Sequence, residues 1–206
     1  MIPVLINNIK KIMREKLPGK TAHIEMMVKP QYKLEKKTSP KPAAVLILLY
    51  PENKEWHFFL TKRSKNVKNH KGQISLPGGT AEKYESLIDA AIRETHEEIG
   101  IKPNTINIIG ALTSFYIPVS GFKISPFVGW IKHKPKLTIQ NTEVSKVFSP
   151  SITSLMKKET IKEKQTVILG NEIKIPFFEL EGEMVWGATS MIISEFKYVL
   201  KETICL

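Results

Sequence analysis

The chain has 206 residues, 42% of them hydrophobic, and a formal net charge of +11 at pH 7. This composition suits one folded domain of ordinary size and excludes general disorder. Of the 31 basic residues only three are arginine, and the lysines are scattered rather than interleaved with aromatic residues. Readers of nucleic acid usually rely on arginine and on aromatic neighbours, so we favour a solvated lysine-rich surface and expect no nucleic-acid partner.

Cysteine content and apolar run lengths indicate the compartment. The single cysteine, Cys205, can form neither an internal disulfide nor a thiolate metal site, which makes a reducing cytosol the default location. The N-terminal residues lack the pattern of a secretory signal, and the longest clean apolar run, residues 43–50, is too short to span a bilayer. We therefore expect a cytoplasmic protein without a membrane partner.

The first part of the chain predicts a helix followed by an extended connection. Apolar residues recur at helical intervals along residues 4–17, and a Pro-Gly pair ends the pattern. Residues 18–42 are rich in lysine, proline and glycine, which favours an extended connection. We expect residues 1–42 to be an appendage that packs on the main domain or reaches a second subunit, and residues 43–206 to be that domain.

The rest of the chain predicts a sheet between helices. Nearly continuous apolar runs at 43–50 and 56–63 indicate strands that are covered on both faces. Residues 64–79 are polar and contain several glycines, as is typical of a loop. The later elements are strands at 105–116, 122–132 and 143–148, a helical stretch at 151–158, a hairpin at 168–180 and a helix at 187–203. This order predicts a single mixed α/β domain.

Residues 85–99 predict a helix that carries a cluster of acidic residues and ends at Gly100. Glu94, Glu97 and Glu98 fall within an arc of roughly 100° beside the buried stripe of this helix. An exposed face laced with salt bridges is the ordinary interpretation, but the helix contains no lysine to pair with them. Clustered carboxylates with open positions are how proteins hold Mg²⁺, so a divalent-cation site is the competing interpretation.

The spacing of these residues resembles the Nudix box of the Nudix hydrolases. Every charged and glycine position of that pattern, which covers 23 residues, is present. The matching residues are Gly79, Glu85, Arg93, Glu94, Glu97, Glu98 and Gly100. The one departure is Thr95, where the family usually has an apolar residue. This departure changes packing on the sheet side of the helix and leaves the chemistry intact.

The resemblance implies a fold and a cofactor. The fold is an α/β/α sandwich with a mixed sheet and a loop–helix–loop catalytic motif. The substrate is a nucleoside diphosphate linked to another group. The cofactor is Mg²⁺ or Mn²⁺, and its ligands would be Glu94, Glu97 and Glu98, with the backbone carbonyl of Gly79 nearby.

The resemblance also implies catalytic roles. Glu97 would bind metal or activate the attacking water, and Arg93 would orient it. Glu143 lies outside the box, where Nudix enzymes often draw an extra metal ligand or base from a loop, but an ordinary acid at the end of a strand is an equally good interpretation. The structural residues of the motif would be Gly78, Glu85 and Gly100, with Glu85 bracing the start of the helix.

The loop before the box looks like the signature of the coenzyme A pyrophosphatase branch. Residues 60–79 contain Leu-Thr-x-Arg-Ser, then His-x-Gly-Gln, then Pro-Gly-Gly. The candidate substrate-binding residues in this loop are Arg63, Ser64, His70, Gly72 and Gln73. Coenzyme A carries a pyrophosphate and a 3′-phosphate, so its site needs cations and hydrogen-bond donors besides the metal. Alone, Arg63 fits a surface ion pair and His70 fits an ordinary loop histidine equally well; together with the box they favour function.

The sequence therefore predicts a hydrolase that splits coenzyme A or an acyl derivative into 3′,5′-ADP and 4′-phosphopantetheine or its acylated form. The alternative substrate is another nucleoside diphosphate derivative, such as ADP-ribose or a dinucleotide. A module that senses a nucleotide without cleaving it is a third hypothesis, which the presence of all the box glutamates disfavours. The expected partner is a small nucleotide, and a homodimer is left open.

Overall fold

A mixed sheet lies at the centre of the fold, between helices. The computed structural model describes residues 2–15, 17–28, 39–64, 71–168 and 171–204. The helices are α1 (Val4–Ile12), α2 (Lys20–Glu25), α3 (Leu87–Ile99), α4 (Ile152–Met156) and α5 (Ala188–Ile204). The strands are β1 (Lys41–Glu52), β2 (Glu55–Phe58), β3 (Leu60–Arg63), β4 (Ile74–Ser75), β5 (Gly78–Thr80), β6 (Asn107–Ala111), β7 (Phe115–Ile117), β8 (Phe122–Trp130), β9 (Val144–Phe148), β10 (Ile161–Ile168), β11 (Asn171–Leu180) and β12 (Glu183–Trp186). In the described part of the chain, no helix is long and apolar enough to cross a membrane.

The central sheet has the strand order β2-β1-β8-β6, with β5 paired to β1 and β7 paired to β8. β1 and β8 are parallel and the other pairs are antiparallel, so the sheet is mixed. Side chains alternate between the faces of a strand: Leu46 and Leu48 pack with α3 on one face, and Ile47 and Leu49 pack with α1 and α5 on the other. The predicted α/β/α sandwich is confirmed, and burial on both faces explains the apolar run in β1.

Two predicted strands are divided in the structure. The strand predicted at 56–63 breaks at Phe59, because its first half pairs with β1 and its second half pairs with β4 and β9 in another sheet. The strand predicted at 105–116 divides into β6 and β7, which pair with different stretches of β8. The hairpin predicted at 168–180 has a longer first strand, which begins at Ile161, and β12 adds a third strand to it.

The extended connection predicted for residues 18–42 is wrong in part, because residues 20–25 form α2. α1 and α2 both contact α5, and Ile6 and Ile9 of α1 are fully buried in the core that α5 also enters. β1 begins at Lys41, so the strand crosses the predicted boundary between an appendage and a domain. The division itself stays a prediction, and residues 29–38 lie outside the described part of the chain.

A buried carboxylate fixes α2 against α5. Glu195 of α5 has no solvent exposure, and its Oε1 accepts hydrogen bonds from Gly19 N (3.2 Å) and Thr113 Oγ1 (2.6 Å). Its Oε2 accepts from Thr113 N (3.1 Å) and His23 Nε2 (3.1 Å). These donors hold the pKa of the Glu195 carboxyl below its usual value despite its burial. The charge therefore binds the N-terminal segment and the β6–β7 loop to the closing helix.

We expect Glu195→Gln to destabilise the fold, because its amide cannot accept four hydrogen bonds and would set a donor against a donor. Glu202→Gln changes the other glutamate of α5, for which the structure shows no hydrogen bond among the described residues, and is the matched control. Chemical denaturation should show a loss of ~2 kcal/mol or more in the free energy of unfolding for the first variant only. Equal stability of the two variants would contradict the role given to Glu195.

Candidate active site

The acidic helix predicted from the sequence is α3, and its ends are well defined. Ser86 caps the N-terminus, with its Oγ accepting from Asp89 N at 3.1 Å. Gly100 ends the helix in the left-handed conformation, at φ 76°, which glycine adopts without strain. The helix begins at Leu87 rather than at the predicted residue 85, so Glu85 lies in the preceding turn. The predicted helix is confirmed, apart from this start.

The three box glutamates of α3 differ in burial. Glu98 lies within the buried stripe and is only 3% exposed, whereas the Glu97 side chain is 55% exposed and the Glu94 side chain lies between them at 17%. Thr95 is fully buried, and its hydroxyl donates to the carbonyl of Ala91 at 2.7 Å. The threonine at an apolar position of the box is therefore satisfied within the helix.

Arg93 binds several of the acidic side chains. Its Nε and Nη2 donate to the two oxygens of Glu85 at 2.8 and 3.0 Å, a bidentate pair. Its Nη1 donates to Glu94 Oε1 at 2.9 Å and to Glu97 Oε2 at 3.0 Å, and its Nη2 also donates to the carbonyl of Thr80 at 3.2 Å. The Arg93 hydrogen bond lowers the pKa of Glu85. These contacts are those expected if Glu85 braces the helix start and Arg93 orients Glu97.

Glu98 is an incompletely balanced charge. Its Oε2 is buried and has no hydrogen-bond partner among the described residues. Burial raises the pKa of the Glu98 carboxyl to about 8, opposed by the charge of Arg63 and helped by those of Glu94 and Glu143. Burial also raises the pKa of Glu94, with Glu97 and Glu143 adding to the effect. The site therefore combines negative charge, partial dehydration and too few cations.

Gly78 and Gly79 bring the backbone close to this cluster. A Cβ atom on Gly79 would overlap the Glu94 carboxylate, and one on Gly78 would overlap the carbonyl oxygen of Ala44. Gly78 has a φ of 152°, and its N–H donates to Glu98. Gly78 is therefore required for the approach of β5 to the backbone of β1, and Gly79 leaves room for the Glu94 carboxylate.

Backbone hydrogen bonds gather most of the predicted substrate-binding loop. Arg63 N donates to the carbonyl of Gln73 at 3.0 Å, and Gly72 N donates to the carbonyl of Arg63 at 3.1 Å. Ser64 N donates to the carbonyl of Glu143 at 2.7 Å, which joins this loop to the residue before β9. The structure thus brings Arg63, Ser64, Gly72, Gln73 and Glu143 together. His70 lies outside the described residues.

The carboxylates fit a divalent cation by donor type. Glu94, Glu97 and Glu98, with the Gly79 carbonyl, are the hard oxygen ligands that Mg²⁺ prefers, and the unpartnered Glu98 Oε2 is a free donor atom. Within the described ranges, no three acidic, histidine or cysteine side chains converge closely enough to form a ready-made metal site. Glu94 and Glu97 each give one oxygen to the Arg93 guanidinium. The individual ligands therefore stay predictions.

Comparison with known proteins decides the family. The family model described as NUDIX domain matches residues 40–166, which is more than half of the chain. The chain belongs to the Nudix family. Nudix enzymes hydrolyse pyrophosphate bonds in nucleoside diphosphate derivatives and generally use divalent metals such as Mg²⁺ or Mn²⁺. The predicted family and enzyme class are thereby confirmed.

Relatives and solved structures agree with this assignment. Uncharacterized Nudix hydrolase NudL of Enterobacter sp. (strain 638) is 33% identical over 156 residues, which are 75% of this chain and 80% of that protein. Nudix hydrolase 15, mitochondrial, of Arabidopsis thaliana is 32% identical over 162 residues, which are 75% of this chain and 56% of that protein. The MutT/nudix family protein from Enterococcus faecalis has the same fold, with a TM-score of 0.51, 19% identity and coverage of 83% of this chain and 66% of that one.

Sequence reasoning missed the segment that closes the C-terminal end of α3. Thr138 N donates to the carbonyl of Ile99 at 3.0 Å, and Gln140 N donates to the carbonyl of Glu98 at 3.0 Å. A Cβ on Gly100 would lie 2.7 Å from Thr138 Cβ and 2.9 Å from its backbone N and O. Gly100 was the available signal, but a helix-ending glycine usually indicates backbone conformation and not a packing contact.

Burial of Glu98 predicts that the metal-free Nudix domain loses stability as pH rises. The Glu98 carboxyl has a pKa of about 8 when folded against 4.5 in its unperturbed state. Its contribution to stability is thus fully present below the unfolded pKa and is lost as pH rises through the folded pKa. With EDTA present, the melting temperature of Glu98→Gln relative to the wild type should increase between about pH 5 and about pH 8.5. A difference in melting temperature that stays constant across this pH range would show that burial does not raise the pKa of Glu98.

We expect Gly79→Ala to fold but to lose most activity, because the added methyl group displaces the Glu94 carboxylate. The fold should survive, since the atoms that must move are the end of a flexible side chain. Gly110→Ala is the matched control, because the atoms nearest to a Cβ there are those of the Met13 side chain, at 3.3 Å or more. Comparing the rates of Mg²⁺-dependent hydrolysis and the far-UV circular dichroism of the two variants tests this. Full activity of Gly79→Ala would show that the position of the Glu94 carboxylate does not matter for the reaction.

Proposed function

We propose that the chain is a Mg²⁺- or Mn²⁺-dependent pyrophosphohydrolase of coenzyme A or acyl-coenzyme A. The products are 3′,5′-ADP and 4′-phosphopantetheine or its acylated form. The observation that supports this substrate is the position of Arg63 and its loop beside the carboxylates of α3. The cytosolic location and a homodimer stay predictions.

Arg63 offers a free positive donor next to the carboxylates. Its Nε is buried and has no hydrogen-bond partner among the described residues, and its charge lowers the pKa of Glu98. A buried guanidinium donor without a partner costs free energy, which a phosphate oxygen relieves with a charge-assisted hydrogen bond. Coenzyme A supplies more phosphate oxygens than its pyrophosphate alone, because it also carries a 3′-phosphate. The loop that holds Ser64, Gly72 and Gln73 against Arg63 adds polar groups around the same position.

The residues of α3 divide the reaction between them. A bound divalent cation neutralises charge on the phosphoryl oxygens and makes a water molecule more acidic. Glu94 and Glu98 would hold this cation, beside the Gly79 carbonyl. Glu97 is exposed and is held at one oxygen by Arg93, which leaves its other oxygen to accept a proton from the attacking water. Cleavage transfers the oxygen of this water to one phosphorus atom and releases the other phosphate as the leaving group.

A substrate panel tests the proposal. Coenzyme A, acetyl-coenzyme A, ADP-ribose and a diadenosine polyphosphate are incubated with the protein and Mg²⁺, and the products are separated by anion exchange. We expect 3′,5′-ADP from the coenzyme A compounds as the fastest product. Equal or faster turnover of ADP-ribose would contradict the coenzyme A assignment and leave the alternative substrate class. Binding of coenzyme A without any product at several metal concentrations would favour the sensing module.

Arg63→Ala should weaken the handling of substrate with the metal site preserved, so KM should change more than the Mg²⁺ requirement. Loss of one hydrogen bond to a charged group costs roughly 1.5–3 kcal/mol, so we expect KM for coenzyme A to rise about tenfold or more. Lys62→Ala is the matched control, because the neighbouring Lys62 binds Glu183 at 2.9 Å instead. Measuring KM and the Mg²⁺ concentration for half-maximal rate separates the two roles. A changed Mg²⁺ requirement with unchanged KM would place Arg63 in the metal site.

A further inference from the structure

The loop between β8 and β9, residues 131–143, is docked on the C-terminal end of the catalytic helix. The last carbonyls of a helix lack partners within the helix. Here the carbonyls of Glu98 and Ile99 accept from Gln140 N and Thr138 N, both at 3.0 Å. Leu137 packs on the same apolar cluster as Ala90, Ala91 and Ile99 of α3. The loop is therefore fixed to α3 by both polar and apolar contacts.

Gly100 makes this docking possible. A side chain there would overlap the backbone N and O of Thr138, each at 2.9 Å from the added Cβ, and a backbone cannot rotate out of the way as a flexible side chain can. Gly100 is thus required twice, for its φ of 76° and for the close approach of the loop.

The docked loop ends at Glu143. Glu143 N donates to the carbonyl of Gln140 at 3.0 Å, so the turn that contacts the helix also fixes the backbone of Glu143. The carbonyl of Glu143 is held by Ser64 N at 2.7 Å. Its carboxylate acts on both Glu94 and Glu98 as a neighbouring like charge. Since Gln140 N also donates to the carbonyl of Glu98, one short segment connects the backbones of Glu143 and Glu98.

We infer that the loop 131–143, docked through Gly100, positions Glu143 against Glu94 and Glu98 for the reaction. This inference rests on the proposed hydrolase function and extends it. Gly100 and Leu137 are then positioning residues, which act through Glu143 and do not touch the substrate. Displacing the loop should impair the step that needs Glu143 and leave the binding of substrate nearly intact.

Gly100→Ala is the first test, and the chain offers a matched control. Gly182 has the same φ of 76°, but an added Cβ there meets nothing within 4 Å. Gly182→Ala therefore carries the same backbone strain without a displaced loop. With Mg²⁺ and whichever of coenzyme A or ADP-ribose the wild type hydrolyses faster, we expect Gly100→Ala to lower kcat by about 10–100-fold at similar KM. Gly182→Ala should keep kcat within about twofold of the wild type.

Leu137→Ala tests the same loop without changing α3, in case Gly100→Ala does not fold. Ile106→Ala is its control, because Ile106 packs on the same apolar cluster and precedes β6. Both variants lose the same number of carbon atoms. We expect a lowered kcat for Leu137→Ala only, at comparable melting temperatures. Equal kcat values for these two variants would overturn the inference.

A double-mutant comparison with Glu143→Gln shows whether the effect passes through Glu143. If it does, adding Gly100→Ala or Leu137→Ala to Glu143→Gln causes little further loss of kcat. Fully multiplicative losses, or an active Glu143→Gln enzyme, would contradict the inference while leaving the hydrolase function in place. Failure of the wild type to cleave any pyrophosphate substrate would instead contradict the proposed function.

Discussion

Burial of the Glu98 carboxylate is the constraint on which the site depends. Glu98 lies in the stripe of α3 that packs on the sheet, and one of its oxygens has no protein partner among the described residues. Removing a carboxylate from water costs free energy unless cations or donors replace the lost hydration. The fold supplies only part of this replacement, from Arg63 and the N–H of Gly78. Without a metal the buried carboxyl therefore keeps its proton up to a pKa of about 8.

The distribution of charge around α3 follows from this constraint. The Arg93 guanidinium forms ion pairs with three carboxylates, those of Glu85, Glu94 and Glu97. Glu85 receives the bidentate contact and lies outside the helix, so it anchors Arg93 and leaves only single contacts for the other two. Single contacts are easier to exchange for another cation than a bidentate one. α3 contains no lysine, so Arg93 is the only lysine or arginine that the helix itself offers to these oxygens.

The sequence pattern predicted α3 and the placement of its charged residues, because these depend on interactions between neighbouring residues. The periodicity and caps of α3, and the spacing of Arg93 and Glu97 by one turn, are set within the helix itself. The break at Phe59 depends on which strand pairs with which, and that choice is made by residues far along the chain. It also moves Arg63 into a second sheet, so its place beside Glu98 was not predictable from a continuous strand. α2 forms where an extended segment was predicted, because Glu195 binds its start.

Main-chain atoms carry the connections between the parts of the site. The contacts that join Arg63 to Gln73, Ser64 to Glu143, and Gln140 to Glu98 are all between backbone N–H and C=O groups. Such contacts hold the positions of the residues without prescribing their side chains. The side chains of the predicted substrate-binding loop can therefore change while the carboxylates stay in place. The same connections make the two halves of the site dependent on each other, since Glu143 is bound directly to Ser64 on one side and, through Gln140, to Glu98 of α3 on the other.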